Sequence, residues 1–270
     1  MRLANKVIIV TGSTTGIGKA IAFKCVNEGA RVVIHGLEED LGNDVMKELG
    51  NEKAVLHIED IVIEGAADRL VAVAINKFGR LDAIVNNAAA VVSSNIHTTD
   101  LAFFQKVLAV NTLAPFGLIK AALPHLTETY GCVLNIGSVN AYSGEPNLLA
   151  YSVSKGALMT MTRNLGDTLH RENGVRVNQI NPGWVLTETE IRRKHEHGLA
   201  DDWFTEIPEV YAPSGRLLSP QEIAAAAIYW LADESGPVSG QVVDLEQYPF
   251  IGRNPPKDTS TIPDPGKKTD

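Results

Sequence analysis

A chain of 270 residues with 44% hydrophobic content can bury one substantial core and needs no second, so a single domain is expected. A formal net charge of −8 and a pI near 5.4, with no basic cluster along any predicted element, argue against nucleic acid and anionic membranes as partners and leave small molecules. No apolar run approaches the ~20 residues of a membrane span, and Met1-Arg-Leu-Ala-Asn-Lys6 lacks the apolar core of a signal peptide, so a cytoplasmic protein is expected.

The first predicted element is a strand, the apolar and β-branched Lys6-Val-Ile-Ile-Val-Thr11. Gly12-Ser-Thr-Thr-Gly16-Ile-Gly18 comes next, then the helical spacing of Ile21, Ala22, Cys25 and Val26. Strand, tight glycine turn and helix in this order suit a dinucleotide: glycines let the backbone approach a pyrophosphate, and the helix amino end offers unpaired N–H groups. Further strands near 31–35, 53–58, 81–86, 131–136, 176–180 and 241–244 alternate with helices near 17–29, 39–49, 63–79, 100–127, 150–172 and 220–233. That alternation predicts right-handed crossovers and a parallel sheet covered on both faces. Cys25 falls on a predicted helix and Cys132 on a predicted strand, so two reduced, buried thiols are expected.

Within the 150–172 helix, Tyr151-Ser-Val-Ser-Lys155 places a phenol and an ammonium four residues apart on one face. A free tyrosine ionises near pH ~10, and a cation within a few ångströms lowers that by ~1–3 units, towards the range of a useful acid and base. Two stretches break the rhythm of the sheet. Leu186 to Pro213 is rich in charge and in His, Trp and Thr; from Tyr248 onward Pro249, Pro255, Pro256, Pro263 and Pro265 stand among polar residues.

Taken together, the ordered motifs resemble the short-chain dehydrogenase/reductase family in its single-domain form, over roughly Lys6 to Leu245. They are the glycine turn, Asn86-Asn87-Ala88-Ala89 after the fourth strand, Asn111, Ser138, the Tyr151/Lys155 pair, and Asn181-Pro182-Gly183 with Thr187 beyond. Ala89 departs from the glycine usual there. The resemblance implies a doubly wound Rossmann fold with a seven-stranded parallel sheet over residues 1–247, a substrate loop at 184–213, and a separate tail at 248–270. It implies hydride transfer between an alcohol or carbonyl and a nicotinamide. Tyr151 would carry the proton, Lys155 would lower its pKa and bond the ribose, Ser138 would hold the substrate oxygen, and Asn111 would hold a relay water. The implied cofactor contacts are Gly12, Ser13, Thr14, Thr15, Gly16, Ile17, Gly18, Gly36, Leu37, Asp60 and Ile61. Asn87, Ala88, Ala89, Pro182, Gly183, Val185 and Thr187 complete them.

The choice between NAD and NADP rests on the end of the second strand. Gly36 stands where NAD-preferring relatives usually carry an acid and Leu37 where arginine often marks NADP, while Thr15 is neutral. A phosphate would lack a cation, so the reading leans to NAD. Asn140, Glu145 and Asn147 give the loop before Tyr151 a polar character that suits a sugar or polyol; with Ser138, Tyr151 and Trp184 they are the expected substrate contacts. Thr187, His195, His197, Trp203 and Phe204 are further candidates to line or cap the pocket. The runner-up is a 3-oxoacyl or other carbonyl reductase, ahead of an isomerase or dehydratase and of a non-catalytic dinucleotide sensor. No third ligand accompanies His195 and His197, so no metal is expected. Phe103, Phe104, Val107, Leu158, Met159 and Leu165 are read as outward apolar residues that pair subunits into a homotetramer, with a dimer as fallback. The tail is either disordered or a strap to a neighbouring subunit.

Overall fold

In a computed structural model, which describes residues 1–249 and 251, seven strands form one parallel sheet. They are β1 (Val7–Val10), β2 (Arg31–Gly36), β3 (Ala54–Ile58), β4 (Ala83–Asn86), β5 (Cys132–Ile136), β6 (Arg176–Pro182) and β7 (Val242–Leu245). Their spatial order is β3-β2-β1-β4-β5-β6-β7. The chain therefore runs outward from β1 to β3, then returns to the other side of β1, and this reversal opens a crevice beyond the carboxyl ends of β1 and β4.

Alternation along each strand divides the core in two. Ile8, Val10, Val32 and Ile34 face the layer of α1 (Gly16–Asn27), α2 (Glu39–Leu49) and α9 (Pro220–Leu231), where Ile21, Cys25, Val45 and Ile228 meet them. Val7, Ile9, Val33 and Ile84 face the layer of α3 (Ala66–Phe78), α5 (Ala114–Thr129) and α7 (Leu149–Asn173) through Leu70, Ala74, Leu118 and Leu169. Both clusters are built of apolar side chains, which is why the strands read as largely hydrophobic runs. α9 starts cleanly because the Ser219 hydroxyl and the Glu222 carboxylate form a reciprocal capping box ahead of its apolar face.

The single helix expected at 100–127 is three pieces: α4 (Leu101–Leu108), a π turn at Ala109–Leu113, and α5. By length and composition alone this continuous run, Leu101–Thr129, is long and apolar enough to cross a bilayer, contrary to the expectation from unbroken apolar runs. Its inner residues Leu118, Ile119, Ala122 and Leu126 serve the core instead. Three residues expected to face outward do not: Val107 and Leu158 are buried, and Leu165 packs against the core, as α4 and α7 also meet each other. The apolar residues left exposed nearby are Leu113, Phe116 and Val153. Cys25 and Cys132 are buried free thiols. Short α6 (Asn140–Ser143) precedes α7, and α8 (Glu188–Glu196) lies inside the irregular 186–213 stretch. The proline-rich tail, apart from Tyr248, Pro249 and Ile251, lies outside the described residues.

Candidate active site

The glycine turn sits at the mouth of the crevice. Gly12 and Gly16 hold φ of +61° and +55°, the left-handed region that side chains disfavour. A Cβ at Gly12 would press within 2.9 Å of the Ala88 backbone, and one at Gly18 would collide with the Gly12 carbonyl, so turn, helix and β4 loop are packed to contact. Asn87 braces this arrangement: its amide donates to the carbonyls of Thr11 and Gly12, each at 2.9 Å, while the N–H groups of Asn87 and Ala88 donate to the Thr11 hydroxyl at 3.0 Å. Thr187 comes beside Gly16, near enough that a Cβ there would touch its methyl. Helix α1 begins at Gly16 with no side-chain cap from Thr15 and no acid in its first turn. An uncapped, positively polarised helix end under a glycine cradle fits the pyrophosphate of a dinucleotide.

Beyond β2, the Cβ that Gly36 lacks would strike Thr14, and the Thr14 hydroxyl donates to the Glu38 carboxylate at 3.3 Å. Leu37 is exposed beside it. Asp60 accepts from the Val62 N–H at 3.2 Å, holding the loop that carries Ile61. Ala89 is exposed, so its methyl has room. At the far end, Pro182 accepts the Val139 N–H at 3.2 Å, Gly183 donates to Leu245 at 2.8 Å, and Val185 bridges to Leu218.

Ser138, Tyr151 and Lys155 converge where β5 ends. The Ser138 hydroxyl is near enough to the Tyr151 phenol to favour its ionised form, and Ser138 Oγ accepts the Asn140 N–H at 3.2 Å. Lys155 Nζ donates to the Ile136 carbonyl at 2.7 Å and lies 5.6 Å from the Tyr151 ring centroid. Both side chains are buried, and burial disfavours each charged form: the phenol is pushed up to about 12 and the ammonium down to about 8. The sequence expectation of a lowered tyrosine pKa is therefore reversed, since desolvation of the phenolate outweighs any help from neighbouring charge. After burial, the influences on the phenol are the Ser138 hydrogen bond and the Arg193 guanidinium, which lower it, and Glu190 and Glu145, which raise it.

Asn111 lies in the π turn, where a shifted backbone ladder often marks a working residue. Its amide is committed: Oδ1 accepts from Ala90 N at 2.7 Å, and Nδ2 donates to Ala90 O at 3.1 Å and Ser154 Oγ at 2.9 Å. The side chain thereby ties the β4 loop to α7.

A buried polar chain underlies the site. Asn86 donates to Asn135, Asn135 to Thr162, and Thr162 to Gln179, each at 2.8 Å. Gln179 donates to Asn181 at 2.7 Å, and Asn181 Oδ1 also receives the Ser138 N–H at 3.1 Å. Four sheet positions and a helix thus fix the backbone of Ser138, a network that apolar patterning could not reveal.

Above Tyr151 lies the lid. Thr187 caps α8 by accepting the Glu190 N–H at 3.1 Å. The Trp184 ring stacks on Trp203 at 5.4 Å, receives the edge of Tyr211 at 6.4 Å, and donates its Nε1–H to Glu190 at 3.0 Å. Phe204 adds an edge to Trp203 at 5.8 Å. Trp184, expected to touch substrate, is thus the packing centre of the lid. His195 pairs with Asp201 at 3.2 Å on the surface. Between α8 of the lid and the loops at 93–98 and 145–148 is a cavity of about 320 Å³, walled by Ser94, Asn95, Thr98, Glu145 and Asn147 on one side and by Arg193, Lys194 and His197 on the other. Glu145 and Asn147 were expected here; Asn140 is not in the wall. The lid cations went unread because a sequence does not show which way a lid helix is turned.

Residues 12–246 match a family profile described as enoyl-(acyl carrier protein) reductase. The chain is similar to an L-fucose dehydrogenase of Mus musculus, 36% identical over 87% of this chain and 84% of that one. It is similar also to a 2-(S)-hydroxypropyl-CoM dehydrogenase of Xanthobacter autotrophicus, 35% identical over 88% and 94%. An NADP-dependent (R)-specific alcohol dehydrogenase of Lentilactobacillus kefiri is 32% identical over 87% and 92%.

Proposed function

As a member of the short-chain dehydrogenase/reductase family, the chain is an oxidoreductase acting on CH–OH groups with NAD or NADP, and from that premise we propose that it is a sugar or polyol dehydrogenase preferring NAD. The observation that carries the substrate class is the cavity wall: hydroxyl, amide and carboxylate groups of Ser94, Asn95, Thr98, Glu145 and Asn147 suit a compound with several hydroxyls. The dehydrogenase of L-fucose among the relatives supports the same class.

The nicotinamide, when bound, supplies the hydride acceptor or donor. Tyr151 carries the proton: as phenolate it takes the hydroxyl proton of an alcohol, and as phenol it protonates the oxygen of a carbonyl. Ser138, beside that phenol, holds the substrate oxygen. Lys155 uses one of its three N–H donors on Ile136, keeping two for ribose hydroxyls. Asn111 fixes the floor between the β4 loop and α7. Closure of the lid over bound substrate excludes water from the reacting centre.

The preference for NAD rests on Glu38, whose carboxylate reaches the glycine turn through Thr14 and is followed by Glu39 and Asp40. An adenosine ribose offers these acids hydroxyl donors; an added phosphate would meet their charge. Subunits pair through the exposed apolar residues Leu113, Phe116 and Val153 into a homotetramer, or a dimer at least. Light scattering at micromolar concentration checks this, a monodisperse monomer counting against it. Two buried, unpaired thiols suit a reducing cytoplasm.

The test is the absorbance of reduced nicotinamide with NAD or NADP and a panel of sugars, polyols, hydroxy acids and secondary alcohols, run beside Tyr151→Phe. Turnover of a polyhydroxylated compound, lost in the variant, is expected. Turnover of simple ketones or acyl substrates alone would favour the carbonyl-reductase reading.

A further inference from the structure

We propose that the cavity beside Tyr151 receives a carboxylate at the end of the substrate remote from the reacting carbon, with Lys194 and Arg193 as its partners. This rests on the polyol reading above and narrows it to polyhydroxylated acids.

The protein carries a net charge of −8, so its general field repels anions. The cavity wall departs from that field: Arg193 and Lys194 both line it, with one carboxylate, Glu145, opposite. The two cations are held in different ways. Glu190 grips Arg193 through Nε and Nη2, each at 2.9 Å, and is itself anchored by the Trp184 Nε1–H. That pairing neutralises much of the guanidinium charge, fixes its direction, and leaves Nη1 without a hydrogen bond among the described residues. Lys194 has no carboxylate within ion-pair distance among the described residues. Its ammonium lies 5.1 Å from the Trp184 ring centroid, a contact that orients a cation without cancelling it. A carboxylate placed between them would accept from the Lys194 ammonium and from Arg193 Nη1, both charge-assisted bonds. Glu145 and Asn147 across the cavity are then left for the hydroxyls in between. The cavity adjoins the chemistry through its wall: Ser94 Oγ accepts the Ala150 N–H at 3.0 Å, one residue before Tyr151.

The experiment compares matched pairs, a polyhydroxylated acid and the neutral polyol of equal carbon number, on wild type, Lys194→Gln and Lys194→Arg with NAD. The acid is expected to show a kcat/KM at least about tenfold above its neutral partner. Lys194→Gln is expected to raise the KM of the acid about tenfold with kcat kept, to move the KM of the neutral polyol about threefold or less, and to be rescued by Lys194→Arg. A thermal melt matching that of wild type reports that the variant is folded. Equal efficiency for acid and neutral compound, or an acid KM indifferent to Lys194→Gln, would overturn the proposal while leaving the polyol reading intact. Turnover confined to alcohols with a single hydroxyl would instead remove the polyol reading and this proposal with it.

Discussion

The Asn111 amide donates to the Ser154 hydroxyl at 2.9 Å, joining the π turn to the helix that carries Tyr151 and Lys155. Ser154 passes the link on, donating to the Tyr151 carbonyl at 2.6 Å. The position of the phenol is thus set from the opposite helix.

Asn111→Ala strips partners from both backbone groups of Ala90 and from Ser154, and its kcat is expected to fall about a hundredfold. Ser154→Ala keeps Asn111 on Ala90 and should lose about fivefold or less. Steady-state rates with thermal melts decide it: a full kcat in Asn111→Ala would mean the residue serves folding alone.

With the phenol pushed up to about 12, the neutral form dominates at pH 7 and phenolate is scarce. Alcohol oxidation needs phenolate, so its kcat/KM is expected to climb with pH between 7 and 9, approaching about tenfold per unit, while carbonyl reduction stays flat there. Arg193→Gln removes a cation that lowers the phenol pKa and should carry the oxidation limb to higher pH. An oxidation rate indifferent to pH over this range would assign the proton step elsewhere.

Glu38→Ala is expected to weaken NAD binding and improve NADP binding, moving the ratio of their dissociation constants by about tenfold or more. Quenching of protein fluorescence by each dinucleotide reads this without turnover. An unchanged ratio would remove Glu38 from the ribose site.

His35 is buried and held neutral, its pKa lowered to about 4 by burial and by neighbouring His57. The unfolded chain, titrating at an ordinary 6.5, binds the proton first as pH falls. The contribution is therefore complete above the unfolded value and is lost on acidification towards 4, about 2 kcal/mol of it between pH 7 and 5. Urea titrations at those two pH values should show a smaller loss in His35→Gln; equal losses would exclude His35 as the source.

The sheet was legible because its strands advertise themselves: Val7 and Ile9 face one layer, Ile8 and Val10 the other, and all are apolar. The glycine turn and the Tyr151/Lys155 pair were legible because their spacing is the geometry. Burial was not. Tyr151 was expected to ionise more easily beside Lys155, yet what surrounds it comes from distant segments and dominates its pKa. Helical periodicity shows a face without showing what covers it, so it points Val107 and Leu158 outward where the fold buries them. Asn111 stands in an apolar stretch whose composition does not distinguish a π turn from an α-helix.

That π turn is a helix with one residue more than its rungs require. Each added residue rotates the rest of the helix by about 100°. The offset between Val107 before the turn and Leu118, Ile119 and Ala122 after it is therefore a phase shift lodged in five residues, Ala109–Leu113. Asn111 sits at the phase boundary, so a change in length anywhere in the turn would trade the position of the Asn111 amide against the register of the α5 core face.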